Sequence, residues 1–598
     1  MGKKQKRRQL KESRQEGRAR SSAGRRGFRG SLAEATFLGQ GQFRLEQWLG
    51  RRRRWIWAGL LAVAAALYLA VPSNELGGNF GGDDVQYLLL SKALATGLGY
   101  ADPYLPGHPP HTKYPPLFPL LLAPFNLLGR HQLLGVHLLI CALALGVPLA
   151  LAGWMRRQGY SQTATLGVFL LSATLPRYYQ FLVHVLSEVP SMFFCYFALY
   201  GMARAGSRPK ARDLLLITLA SLATLFTRTA GMALVAAIGI ELLRRAEFRR
   251  LRVAGIPSPI FFGLVVGLVF LAWSLRNFWV GGPSLGYFQE MILKDVYQPQ
   301  AGNLNVSEFA SRVYERTYLY LTVLGLMTAG GIILIVKSQV HYYHVFFLLP
   351  LLLGFISRLR QAERSAEWFF LFSVLIVISW WSYEDRFLIP LLPFASFYFM
   401  LGVRKMAGAA RSWMRLASAP VWARSLTGVV GLVILLNQAW IVAGVVQREH
   451  TDLWEPGEPV AITNYGVWQK PVINWSKYEW GLLDPGQIQL FTRMVILSRI
   501  AAERVPAGQV MVCRKPTLAA FFFGWPSVCF LFTNDVKAQW EFLRRNQVTY
   551  ALLLFFNQPI KDWFDSCPSC FQLEFGVEGG LPLLYKIVAY PRESGGSK

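Results

Sequence analysis

The chain has 598 residues, 53% hydrophobic and 16% charged, and its mean hydropathy of +0.31 excludes both a soluble multidomain enzyme and a disordered scaffold. Its apolar residues fall in long uncharged blocks, the mark of a membrane protein, so length alone does not count its domains. The net charge of +28 invites a nucleic-acid reading, but the charge is uneven and no nucleic-acid module accompanies it.

Residues 1–54 hold 17 Lys and Arg against 4 Asp and Glu and read as a basic, largely disordered cytoplasmic tail. Positive charge ahead of the first apolar block, 55–72, keeps that flank in the cytoplasm and favours contact with anionic headgroups. The long polar lead argues against a cleaved signal peptide. Further spans are expected at 131–154, 161–180, 184–203, 213–227, 229–243, 256–279, 317–336, 341–357, 367–382, 386–403 and 424–447. The basic loops Arg156/Arg157, Arg204 to Arg212, Arg244 to Arg252, Arg358 to Arg364 and Arg404 to Arg424 belong inside. Loop parity breaks near 317–357, so 317–336, with Gly325, Gly330 and Gly331, is the candidate for a helix that does not cross. The two short blocks beside Arg228 read as one helix pair broken at that residue. The fold expected over 55–450 is an all-α polytopic membrane bundle of about 11–13 spans, with a large first outer loop at 73–130.

From 451 to 598 the composition changes to that of a soluble α/β domain, which loop parity places outside the cytoplasm. Short β-rich runs at 509–513, 518–522, 528–532, 548–555 and 583–589 surround a polar helix near Asp535 to Asn546. All cysteines but Cys141 and Cys195 lie here. Cys567-Pro-Ser-Cys570 fits a redox pair, half a zinc site or a disulfide set with Cys513 and Cys529, and an outer compartment favours disulfides.

Acidic residues are scarce in the membrane half, so each is informative. Gly81-Gly82-Asp83-Asp84-Val85-Gln86-Tyr87 opens a helical stretch to about Ala95. Adjacent carboxylates at a membrane surface suit general-base chemistry or cation binding, while the plainer reading is a pair of acids offsetting a helix dipole. The loop continues through Gly97, Gly99 and Tyr100 to His108, His111, Thr112, Lys113, Tyr114, Pro115, Pro116 and Leu117. Lys113 stands where the loop re-enters the membrane, and Arg276 and Arg386 stand at outer ends of spans. Cations there suit a lipid phosphate; snorkelling to headgroups and marking of span ends are the alternatives. Arg228 and Glu188 suit an ion pair inside the bundle, and His184 reads as packing. His108 and His111 lie in the same loop as the acids, which leaves a divalent metal ion open, although no zinc-type spacing supports one.

The acidic pair, the Gly97-x-Gly99-Tyr100 turn, His111-Thr112-Lys113-Tyr114-Pro115-Pro116-Leu117, Ser187-Glu188-Val189-Pro190, Thr227-Arg228-Thr229-Ala230-Gly231, Leu275-Arg276-Asn277 and the run Glu384 to Pro393 occur in order. Together they resemble the polyprenyl-phosphate-sugar-dependent glycosyltransferases of the GT-C superfamily, the branch of the protein O-mannosyltransferases and the lipid A aminoarabinose transferase. The resemblance implies an inverting glycosyltransferase of the cell (inner) membrane. It would move a sugar from a polyprenyl phosphate to a lipid, glycan or protein acceptor on the outer side, with an acid of the first outer loop as base. Asp83 and Asp84 match the family's acidic pair, with Asp-Asp where Asp-Glu is frequent, so the choice between them stays open. The resemblance implies donor-phosphate contacts from Lys113, Arg276 and Arg386, with Tyr87, Tyr114, Glu188, Arg228 and Glu384 in support. It assigns no metal ligand and no nucleic-acid partner. The alternative is a transporter or flippase of lipid-linked glycans, for which midplane charges and two related halves are lacking.

Overall fold

The computed structural model describes residues 52–72, 82–281, 286–296, 301–328, 346–413, 419–449, 454–455, 460–470, 472–473, 485–531, 533–554, 558–578 and 580–591. Nearly all of the basic tail, and Gly330 and Gly331 of the stretch 317–336, lie outside these residues.

Apolar runs fold as helices because a backbone without water must satisfy its own hydrogen bonds. In chain order these are α1 (Arg53–Leu69), α2 (Asp83–Ala95), α3 (Leu117–Leu122), α4 (Gln132–Arg157), α5 (Gln162–Ala173), α6 (Glu188–Ala205) and α7 (Ala211–Thr227). There follow α8 (Met232–Arg244), α9 (Ser258–Trp279), α10 (Val306–Thr328), α11 (Leu348–Arg358), α12 (Ser365–Ser379), α13 (Leu392–Trp413) and α14 (Ala419–Glu449).

Among the described residues four stretches are long and apolar enough to cross a membrane: Leu117–Arg157, Ser258–Trp279, Asp385–Ala410 and Ser425–Gly444. One block of the sequence reading, 161–180, is interrupted, and the pair beside Arg228 is broken where expected. The blocks 161–180 and 184–203 become α5, the short helix Pro176–Gln180 and α6. The blocks 213–227 and 229–243 become α7 and α8, separated at Arg228, whose backbone is extended (φ −152°, ψ 130°).

Small residues let two of these helices touch. A Cβ on Gly354 of α11 would lie 1.8 Å from the carbonyl oxygen of Tyr398, and one on Gly402 of α13 would lie 1.7 Å from that of Pro350. Contact through bare backbone is a standard way for helices to associate in lipid. At one end of the same pair Arg358 is buried against Glu367 at 2.9 Å, and the Tyr398 hydroxyl donates to that carboxylate at 3.1 Å.

The carboxy-terminal part is mixed, as expected. Its seven-stranded sheet has β1 (Val460–Thr463), β2 (Gly466–Trp468), β3 (Met511–Cys513), β4 (Ser527–Val528), β5 (Tyr550–Leu553), β6 (Phe571–Val577) and β7 (Leu583–Ile587), in the order β2-β1-β6-β7-β5-β3-β4. Strand β3 runs parallel to β4 and β5, and the other pairs are antiparallel. Helices α15 (Pro485–Arg504), α16 (Pro516–Phe523), α17 (Val536–Arg545) and α18 (Gln558–Asp565) accompany the sheet. The run 518–522 is therefore corrected from strand to helix: Pro516 opens it and Gly524, with φ 70°, closes it. Cys567 and Cys570 form a disulfide, whereas Cys513 and Cys529 are free.

Candidate active site

Helix α2 begins after Gly82, whose φ of 85° lies in the left-handed region that disfavours side chains. Asp83 and Asp84 form its first turn. Adjacent residues on a helix point about 100° apart, so the two carboxylates meet different surroundings. Asp84 is fully buried, accepts the Val185 N–H at 3.1 Å and lies 3.6 Å from His184 Nδ1. It ties α2 to the segment before α6. The Asp83 side chain remains 26% exposed, and its Oδ2 lies 2.9 Å from Arg386 Nη1. Tyr114 donates its hydroxyl proton to Asp83 Oδ1 at 2.9 Å.

Burial alone would raise the Asp83 carboxyl; the Arg386 guanidinium, the Tyr114 hydroxyl and nearby Lys113 outweigh it and hold the group below the usual carboxylate range. Burial moves Glu384 the other way: it is pushed up, with Asp83 and Glu188 adding to the effect against the pull of Arg386.

Arg386 is the hub of the cluster. Besides Asp83 it binds Glu384, and its Nε lies 3.9 Å from Glu188 Oε1. Glu188, fully buried at the start of α6, is paired with Arg228 at 2.6 Å. Arg228 reaches this point because the helix breaks there; its Nη1 also donates to Ser187 Oγ at 3.3 Å. The Tyr87 hydroxyl donates to the same Ser187 oxygen at 3.0 Å, and its ring packs 5.0 Å from that of Tyr114. Asp83, Tyr87, Tyr114, Glu188, Arg228, Glu384 and Arg386 thus form one connected group drawn from distant parts of the chain.

The two remaining cations sit differently. Lys113 is half exposed, with Nζ 3.1 Å from Glu290 Oε1. Arg276 turns its donors onto the carbonyl oxygens of His111 and of Tyr100 (3.1 Å for the latter), and Asn277 donates to Thr112 O at 3.1 Å. The end of α9 therefore clamps both arms of the loop between α2 and α3, whose turns use Gly97 (φ 80°) and Gly99 (φ 76°).

Asp102, a residue the sequence did not single out, completes the loop. Asp102 is buried, and its Oδ1 accepts from Gln86 Nε2 at 2.7 Å and from His111 Nδ1 at 2.8 Å. His111 Nε2 accepts the Tyr114 N–H at 2.8 Å. These bonds fix the tautomer with the proton on Nδ1, and with both ring nitrogens engaged His111 is not free to bind a metal. Among the described residues no cluster of three or more His, Cys, Asp and Glu is placed to hold a metal ion. The chain Gln86, Asp102, His111, Tyr114 ends on Asp83. Its only sequence signal was an acid nine residues before His111 in the same loop.

No protein-family model matches the chain, and no curated protein matches its sequence. Solved structures are similar. ArnT from Cupriavidus metallidurans bound to undecaprenyl phosphate aligns over 89% of this chain and 98% of its own, at 12% identity and a TM-score of 0.52. AglB, the oligosaccharyltransferase of Archaeoglobus fulgidus in complex with an inhibitory peptide and a dolichol-phosphate, aligns over 84% of this chain and 69% of its own, at 13% identity and a TM-score of 0.46. At such identity the likeness is one of fold, and with ArnT it extends over most of both chains. The chain has the fold of ArnT.

Proposed function

We propose that this protein is an integral membrane glycosyltransferase that moves a sugar from a polyprenyl-phosphate donor to a lipid, glycan or protein acceptor, with Asp83 as the base. The observation that carries the reading is the division of labour in the acidic pair: Asp84 is fully buried against backbone, while Asp83 is partly open and lies between a tyrosine hydroxyl and an arginine. The shared fold with a protein crystallised with undecaprenyl phosphate supports the choice of donor.

In this reading Asp83 takes the proton of the acceptor hydroxyl or amine as that group attacks the anomeric carbon. The carbon–oxygen bond to the phosphate breaks, and the lipid phosphate leaves from the opposite face with inversion. Its charge is met by Lys113, paired with partly buried Glu290, and by Arg386. Arg386 shared between phosphate and Asp83 would make the carboxylate a stronger base once the donor is bound. Arg276 keeps the loop in shape for this chemistry.

The site and the carboxy-terminal domain belong on the outer side in this proposal. Helices α6, α7, α8, α12 and α13 each place Glu188, Arg228, Glu384 or Arg386 at or beside one end and basic residues at or beside the other. Positive loops stay in the cytoplasm, which leaves the opposite ends outside.

The test is transfer from a polyprenyl-phosphate sugar by the purified protein in detergent. Asp83→Asn should abolish turnover while leaving undecaprenyl phosphate binding intact. Undiminished turnover would refute the assignment, and lipid translocation without transfer would favour a flippase.

A further inference from the structure

The carboxy-terminal domain has no part in the reaction just described, yet it touches the acid helix directly. Helix α16 lies along α2: a Cβ on Gly82 would sit 2.8 Å from Thr517 Oγ1, and Leu518 and Ala519 are buried. The Ser527 N–H at β4 donates to the Tyr104 carbonyl at 2.7 Å, fastening the same face of the domain to the first outer loop. Between β3 and α16 the chain turns through Arg514 and Lys515, where the Lys515 N–H meets Cys513 Sγ at 3.5 Å and Pro516 starts the helix. This turn therefore lies at the head of α2, and Lys515 is near enough to feel the charge of Asp83.

Lys515 differs from the other cations of the site. Arg386, Arg228 and Lys113 each have a carboxylate at ion-pair distance. The Lys515 ammonium is partly buried and makes no hydrogen bond or ion pair among the described residues. A partly desolvated cation held by no direct hydrogen bond or ion pair is unfavourable. Burial, with Arg514 beside it, pulls the amine below its ordinary pKa against the weaker opposing charge of Asp83, a penalty that an incoming anion would reduce further.

We propose that Lys515 is a ligand-binding residue supplied by the carboxy-terminal domain, taking an oxyanion, phosphate or carboxylate, of the substrates that meet at Asp83. This rests on the reading above. Two sources share that chemistry: the phosphate of the lipid donor and an acidic group on the acceptor.

The experiment uses the full-length protein in detergent. Lysines are acylated with N-hydroxysuccinimidyl acetate and quantified by peptide mass spectrometry, with undecaprenyl phosphate, inorganic phosphate, both or neither present. In parallel, undecaprenyl phosphate binding is measured for wild type, Lys515→Gln and Lys515→Arg. Protection of Lys515 by undecaprenyl phosphate, with binding about tenfold weaker in Lys515→Gln and nearly restored in Lys515→Arg, assigns the residue to the donor phosphate. Protection by inorganic phosphate only once the lipid is bound, with lipid affinity unchanged in Lys515→Gln, assigns it to the acceptor's anion. If neither ligand slows acylation and Lys515→Gln binds the lipid as wild type does, the inference is overturned while the glycosyltransferase reading stands. A wild-type protein that does not bind undecaprenyl phosphate would instead count against that reading, and the inorganic phosphate arm would still report on Lys515.

Discussion

Asp83 and Arg386 face each other at 2.9 Å, joining the first turn of α2 to the segment that leads into α13. This contact sets the ionisation of the proposed base and couples it to the proposed phosphate site.

Its first consequence is a pH effect. Arg386 and Tyr114 hold the Asp83 carboxyl low, so the base stays deprotonated as pH falls through the ordinary carboxylate range, about 4. Removing the cation raises that pKa, and the acidic limb of the rate profile must move up. Arg386→Gln should shift the limb of kcat upward by about one unit and raise the KM for the donor; Tyr114→Phe should shift the limb in the same direction by less. An unmoved limb in both variants would disconnect Asp83 from the rate.

The two acids should separate by phenotype. Asp84→Ala removes the acceptor of a buried backbone N–H and should lower stability by about 1–3 kcal/mol. Thermal unfolding in detergent reads this directly. Asp83→Asn should unfold much as wild type does yet fail to turn over.

Asp102 acts through others. Asp102→Asn permits the wrong tautomer of His111, loosens Tyr114 and misplaces Asp83. Turnover should fall by about ten- to a hundredfold, with affinity for undecaprenyl phosphate unchanged. Asp102→Glu should recover little, because Gln86 and His111 share one oxygen in a buried place.

The contact of α11 with α13 leaves no room for a methyl group. Gly402→Ala would drive a carbon into the Pro350 carbonyl and should reduce the yield of folded protein, whereas Gly428→Ala, where a Cβ meets nothing within 4 Å, should be neutral. Size-exclusion profiles of the two variants make the comparison.

The sequence carried much of the site because its polar residues stand in an apolar chain. Asp83, Lys113, Arg228 and Arg386 were each conspicuous, and the helix break at Arg228 followed from short blocks around a charge. The choice between Asp83 and Asp84 was not legible, since it depends on Val185 and Tyr114 arriving from either side. Asp102 was hidden because its partners meet only when the loop closes under Arg276. In the carboxy-terminal domain β1, β2 and β6 were missed; β1 pairs locally with β2, but its other neighbour β6 lies more than a hundred residues further along, a pairing that no local pattern records. The run 518–522 is apolar on all sides, a pattern shared by buried strands and buried helices, and its flanking Pro516 and Gly524 decided the matter.

The clamp that Arg276 places on the loop between α2 and α3 has a mechanical consequence. Helix α9 has 22 residues, about 33 Å of rise, close to the roughly 30 Å of a bilayer's oily interior. Most of its apolar flank is uncovered by the rest of the chain, and its end grips the carbonyls of Tyr100 and His111. A thicker or thinner membrane that tilts this rod tugs on the hinge of the loop, so turnover in vesicles should track acyl-chain length even when every substrate is in excess.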